Sequence, residues 1–214
     1  MKFVFFDVDW TLLEGDNKIH IDAFSEAFKK VYKIVASPRE INYHGKTDTQ
    51  IIIDVLKRRG LNENDIKNKL GDVFKVMIDY FEKNIDKKYI KILPGVKDCL
   101  DILEKRNVIL GIVSGGLEKI VEIKLKIACI EKYFKLGAFG DFSEKRSDLV
   151  KYAIKKAEKI YREVSKKDIF IVGDTPLDIE CGKVNGVKTI AIATGYYSKK
   201  DLLKYNLIMC SEIF

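Results

Sequence analysis

The sequence predicts an α/β fold: a Rossmann-like parallel sheet flanked by helices, interrupted once by an inserted all-α segment. Short apolar runs of strand type recur at Phe3–Val8, Val108–Val113, Leu136–Phe139, Ile169–Val172, Thr189–Ala193 and, more weakly, Leu207–Cys210. Amphipathic stretches of helical length, such as Leu117–Lys126 and Arg146–Tyr161, separate the later runs, with apolar residues returning every three or four positions. That alternation is what a parallel sheet covered by helices requires. Between the first two runs the pattern changes, and residues 16–89 hold helical stretches but no convincing strand.

Each element has a local reason. The first run is apolar until Asp7 and reads as a buried strand. In the insert, Asp22–Tyr32, Asp48–Arg59 and Asp65–Asn84 carry helical periodicity; Gly60-Leu61 stops one helix, and Asn64 or Asp65 is placed to cap the next. The insert far exceeds an ordinary strand-to-strand crossover, so it reads as a helical cap. Leu93-Pro94-Gly95 marks the return, opening a helix to about Arg106. The expected division is an α/β core of residues 1–15 and 90–214 with a cap of residues 16–89.

Composition narrows the class. With 214 residues, 47% of them hydrophobic and only three prolines, a packed core is expected and extended disorder is not. The net charge is +7, but Lys alternates with Asp and Glu along helical stretches. Tyr and Phe fall on apolar periodicity, so solvated helix faces are expected, not a nucleic-acid surface. Cys99, Cys129, Cys181 and Cys210 show no CxxC spacing and no histidine cluster, which predicts free, mostly buried thiols in a reducing compartment. The N-terminus reads as a strand broken by Asp7, not a signal peptide, and no apolar run reaches membrane-spanning length. A cytoplasmic protein with no membrane partner is the expectation; monomer and homodimer both stay open.

The chemistry-bearing residues sit at the ends of strand-type runs. Asp7 and Asp9 close the first; Asp174 and Asp178 follow the run at Ile169–Val172. In open α/β sheets the carboxyl edge is where ligands bind. Four carboxylates in one crevice repel and cannot all stay ionised unaided. A hard divalent cation with oxygen ligands, most simply Mg²⁺, resolves this. Ser114-Gly115-Gly116 follows the second run and leads into a helix N-terminus, which favours anions.

The segments Asp7-Val8-Asp9-Trp10-Thr11-Leu12, Val113-Ser114-Gly115-Gly116 and Gly173-Asp174-Thr175-Pro176-Leu177-Asp178 occur in that order. With His44-Gly45-Lys46-Thr47-Asp48 and Leu93-Pro94-Gly95, they resemble the haloacid dehalogenase superfamily. The likeness is to its phosphatase branch with a small helical cap, of the phosphoglycolate phosphatase kind. The resemblance implies that Asp7 is a nucleophile forming an aspartyl-phosphate and that Asp9 is the general acid and base. It implies that the Ser114 hydroxyl and Gly115 amide bind phosphoryl oxygens. It assigns Asp174 to Mg²⁺ beside the Asp7 carboxylate and the Asp9 backbone carbonyl, with Asp178 acting through water or supporting its neighbours. The family also places a Lys or Arg before the helix after the third strand. Both Lys145 and Arg146 fit as the cation that binds the transferring phosphoryl group, with Lys124 and Lys126 as outlying alternatives that read first as surface charges.

In the cap, Gly45 to Asp48 resembles a specificity loop, with Lys46 and Thr47 toward substrate and Lys46 suited to a second anionic group. His20, near the hinge into the insert, and His44, beside Gly45, are expected at the surface first, with the cavity as the alternative for each. Trp10 stands where the family usually has Gly, so a departure in the turn is expected. The implied activity is Mg²⁺-dependent hydrolysis of a small phosphorylated metabolite, phosphoglycolate-like. A phosphomutase of the same superfamily would use the same Asp7 and Asp9. Asp9 and the downstream acids weigh against a haloacid dehalogenase, and the complete acid set weighs against a non-catalytic binding protein.

Overall fold

The computed structural model describes residues 1–15, 18–205 and 209–211. Six described strands are β1 (Phe3–Phe6), β2 (Ile109–Val113), β3 (Phe134–Ala138), β4 (Ile169–Gly173), β5 (Lys188–Ile192) and β6 (Met209–Ser211). They form one parallel sheet in the order β3-β2-β1-β4-β5-β6. All four β1 residues are buried, as a central parallel strand covered on both faces demands. Successive side chains divide between the faces. Phe3 and Phe5 join a core with Leu149, Ala153 and Ile171, whereas Val4 and Phe6 join Leu100, Leu110 and Val121. The helices contributing these residues are α5 (Val96–Lys105), α6 (Glu118–Ile127) and α7 (Arg146–Ile160).

From β1 the chain winds outward through β2 and β3, then crosses back to place β4 on the other side of β1. The carboxyl ends of β1 and β4 therefore lie at the point where the winding reverses, which is where such sheets open a crevice.

The insert holds α1 (Lys18–Ala27), continued by a π-helical turn at Phe28–Tyr32, then α2 (Asp48–Arg58), α3 (Glu63–Asn68) and α4 (Leu70–Asn84). Its own apolar cluster contains Phe24, Phe28, Ile52, Leu56, Met77 and Phe81, and takes in Leu117 and Ile120 beside β2. The single helix expected over Asp65–Asn84 is two helices. Lys69 leaves helical geometry (φ −112°, ψ 9°), and Ile66 before the break and Val73 after it enter the same core. The cap of α3 is Asn62, whose side chain accepts from the Asn64 amide, not Asn64 or Asp65. Two helices complete the described set, α8 (Pro176–Asn185) and α9 (Lys199–Leu203).

The first strand ends at Phe6, two residues before its apolar run does, because the chain then turns sharply. The Leu12 and Leu13 amides donate back to the Val8 carbonyl at 2.9 and 3.0 Å. Trp10 takes a left-handed φ of 59° in this turn. The backbone thus keeps the conformation that glycine would favour, and the indole packs over Gly15, where any Cβ would collide with it. No described helix is long and apolar enough to cross a membrane. Among the described cysteines only Cys181 is buried; Cys99 is intermediate and Cys129 exposed, so the expectation of mostly buried thiols does not hold. The Cys210 side chain lies outside the described residues.

Candidate active site

The carboxyl ends of β1 and β4 are adjacent because their ladder is in register and extends one step further, the Asp7 amide donating to the Val172 carbonyl at 2.8 Å. Asp7 leaves β1 there, and Asp174 follows β4. One turn later Asp178 closes a capping box on α8: the Thr175 side chain accepts from the Asp178 amide, and the Thr175 amide and hydroxyl donate to Asp178 Oδ2 at 3.1 and 2.6 Å. Carboxylate oxygens of Asp7, Asp174 and Asp178, all buried, lie within 4.8 Å of one another.

Crowding shifts their protonation. Burial pushes the Asp7 carboxyl up to about 7; Arg146 opposes this, while Asp178 and Asp9 add to it. Burial also pushes Asp174 up to about 9, with the Asp7 and Asp178 carboxylates adding to the rise. An all-oxygen donor set that repels itself is the chemistry a hard cation such as Mg²⁺ suits, so these side chains fit that ion.

Arg146 is the counter-charge within the cluster. The guanidinium is buried at the start of α7, with Nη2 2.8 Å from Asp7 Oδ1 and 2.6 Å from Asp178 Oδ1. Its Nε also donates to Asp178 at 3.1 Å, and Nη1 donates to the Gly45 carbonyl at 2.9 Å. One side chain thus joins β1, α8 and the loop before α2. Lys145, by contrast, is exposed. The two candidates from the sequence are therefore placed differently: Arg146 in the site and Lys145 outside it.

Ser114, Gly115 and Gly116 leave β2 beside this cluster and line the same cavity as Asp7, Asp9 and Asp174. Ser114 does not cap α6; its Oγ accepts from the Gly116 amide at 3.2 Å. Asp48 Oδ2 accepts from the Leu117 amide at 2.9 Å, and Asp141 accepts from Glu118 at 3.2 Å, satisfying amides at the start of α6. The turn is held from the insert as well, since the Asp48 amide donates to the Gly115 carbonyl at 2.7 Å. Glycine at 115 is required by this approach, because a Cβ there would collide with the Lys46 carbonyl.

The chain matches the haloacid dehalogenase-like hydrolases over residues 4–192, which is most of its length. It belongs to that family. It is 30% identical over 200 residues to a phosphoglycolate phosphatase of Aquifex aeolicus (strain VF5), covering 92% of this chain and 86% of the relative. It is 27% identical over 208 residues to the pyrophosphatase PpaX of Oceanobacillus iheyensis, covering 94% of this chain and 86% of that one. Among solved structures, a predicted phosphatase from Clostridium acetobutylicum superposes with a TM-score of 0.75 at 17% identity, over 98% of this chain and 93% of its own. At that identity the superposition speaks for the shared fold.

Other residues of this hydrolase sit differently from expectation. Thr47 is fully buried and caps α2, accepting from the Gln50 amide at 3.1 Å while its hydroxyl donates to the Glu144 carbonyl at 2.8 Å. It does not line the cavity. Lys46 does, but its ammonium is 2.6 Å from Asp54. His20 and His44, expected at the surface, both line the cavity. His20 Nε2 lies 3.0 Å from Asp48 Oδ2, and His44 stacks on Tyr196 at 4.4 Å between centroids. Asp178 spends its oxygens on Arg146 and on Thr175, an arrangement that supports its neighbours.

Lys124 departs furthest from expectation. Read as a surface charge, it is buried, and its Nζ contacts both Asp9 oxygens at 2.8 and 2.7 Å. A signal was present in the sequence: Lys124 falls three and four positions after Val121 and Ile120, on the apolar stripe of α6.

Proposed function

We propose that this hydrolase is a Mg²⁺-dependent phosphomonoester phosphatase acting through an aspartyl-phosphate on Asp7, with a small phosphorylated metabolite as substrate. The observation that carries this is that Asp7 and Asp174, from distant chain segments, face one cavity together with the anion-binding turn Ser114-Gly115-Gly116. Asp7 and Asp174 would hold the cation, with the Asp9 backbone carbonyl, and Asp178 would steady Asp7 through Arg146. When bound, Mg²⁺ offsets the negative charge of the carboxylates and of the phosphoryl group.

The chain's own residues carry the steps. Arg146 fixes the Asp7 carboxyl by its contact at 2.8 Å, so the nucleophile enters the cavity in one orientation. The Ser114 hydroxyl and the Gly115 amide receive the phosphoryl oxygens. The Asp7 carboxylate attacks phosphorus, and Asp9 gives a proton to the departing oxygen. In the second step Asp9 takes a proton from water as that water attacks phosphorus and frees Asp7. Insert residues His20, His44 and Lys46 line the same cavity as Asp7, Asp9 and Asp174, so the insert would help to limit bulk water there.

The substrate class we put first is phosphoglycolate-like, because the 30% identical relative bears that name. Pyrophosphate follows because of the name of the second relative. The test is a phosphate-release screen with Mg²⁺ and with EDTA over 2-phosphoglycolate, pyrophosphate, sugar phosphates and nucleoside monophosphates. Metal-dependent release is the expected result. A folded protein that releases phosphate from none of them refutes the reading, and isomer formation without release redirects it to a phosphomutase.

A further inference from the structure

The phosphatase reading leaves one buried charge without a role. On α6, Lys124 sits with Ile120, Val121 and Leu125 on the interior face, and its side chain is 2% exposed. An ammonium is tolerated at such a position only when a partner compensates it. Here the partner is Asp9, gripped through both oxygens at 2.8 and 2.7 Å. The pair is asymmetric, because the Asp9 side chain keeps 34% of its surface exposed and both residues line the cavity.

A two-point contact fixes the plane of the carboxyl as well as its place. It also sets Asp9 apart: the oxygens that cluster within 4.8 Å belong to Asp7, Asp174 and Asp178, and Asp9 is not among them. Two functions then need two orientations, since Asp7 must face phosphorus and Asp9 must face the departing oxygen.

We infer that Lys124 is a positioning residue for proton transfer: its grip on both Asp9 oxygens keeps that carboxyl out of the acidic cluster and aimed at the leaving group. This rests on the phosphatase reading. In the first step the bond from phosphorus to the leaving oxygen breaks, the Asp7–phosphorus bond forms, and the leaving oxygen takes the Asp9 proton. In the second, water oxygen bonds to phosphorus, the Asp7–phosphorus bond breaks, and the water proton returns to Asp9. Lys124 keeps its own proton throughout.

The test compares p-nitrophenyl phosphate with phenyl phosphate, using the full chain and Mg²⁺. The two rings are alike, but p-nitrophenolate departs readily without a proton and phenolate does not. The readout is kcat/KM, which reports the step that breaks the leaving bond. Lys124→Met keeps the length of the chain and drops the charge. It should lose at least ~10-fold more on phenyl phosphate than on p-nitrophenyl phosphate, part of the ~10²–10⁴ that a positioned acid–base group contributes. Lys124→Arg should restore the wild-type ratio.

Equal losses on both substrates, or no loss on either, overturn the inference. If Lys124→Met does not fold, Lys124→Gln against Lys124→Arg makes the same comparison, and equal ratios again overturn it. A wild-type protein inert on both substrates overturns the phosphatase reading and this role together. Active wild type with an unmoved ratio in the variants overturns this role alone.

Discussion

Removing one charge from the acidic cluster should stabilise the metal-free protein, and Asp7→Asn is the cleanest perturbation. The Asp7 carboxyl rises from 3.8 to about 7 on folding, chiefly through burial. A carboxyl with a raised folded value keeps its proton longer in the folded state than in the unfolded chain. Folding is therefore unpenalised below about pH 4, and stability falls as pH rises from there toward 7. At ~1.4 kcal/mol per pH unit, the penalty at neutral pH is about 4 kcal/mol.

Asn avoids that penalty and keeps a carbonyl oxygen for the Arg146 contact at 2.8 Å. Its amide group, however, faces the cluster less favourably than a carboxylic acid would, at ~1–3 kcal/mol. A net gain of ~2 kcal/mol remains, equivalent to a Tm rise of ~4–8 °C for a chain of this size. The assay is thermal melting in EDTA at steps from pH 4.5 to 8. The gain should be largest at pH 8 and shrink toward pH 4.5. A variant that melts at or below wild type at pH 8, or by a margin independent of pH, refutes the reasoning.

Metal should invert this order: Mg²⁺ should raise the wild-type Tm more at pH 8 than at pH 5.5, and Asp174→Asn should lose most of that response in the same melts. Arg146→Met should lose ~3–5 kcal/mol in denaturant unfolding, because Asp7 and Asp178 are left buried and uncompensated. Lys145→Met, next along the chain but exposed, should stay within ~0.5 kcal/mol of wild type, and equal losses would contradict the geometry. Gly115→Ala should cost ~1–3 kcal/mol and most of the phosphate release, since a Cβ there meets the Lys46 carbonyl. An active, fully stable Gly115→Ala protein would show that this turn does not need its close approach.

What could be read early were residues whose role follows from their place on an element. Asp7 and Asp174 announced themselves because each interrupts or follows an apolar run, and a strand's carboxyl end has one location in a parallel sheet. The capping box between Thr175 and Asp178 was not among the expectations, although it is made within three residues and its spacing stands in the sequence. Trp10 was harder, since the cost of a left-handed residue is visible in sequence but the packing of its indole over Gly15 is not. Arg146 and Lys145 are adjacent, and only the start of α7 against the sheet turns one inward and the other to solvent.

By itself the sequence determined the strand order along the chain, the helical insert and the acids at two strand ends, because periodicity and capping are properties of neighbouring residues. Only the tertiary structure decided partnership. Lys124 with Asp9, His20 with Asp48, and Asp48 with the Gly115 carbonyl join residues 28 to 115 positions apart, or link the insert to the sheet. Whether a lysine on a helix meets water or a buried carboxylate depends on the rotation of that helix against its neighbours. The packed core fixes that rotation; the stripe of Ile120, Val121 and Leu125 marks the buried face of the helix, but no local pattern names the carboxylate that Lys124 meets there.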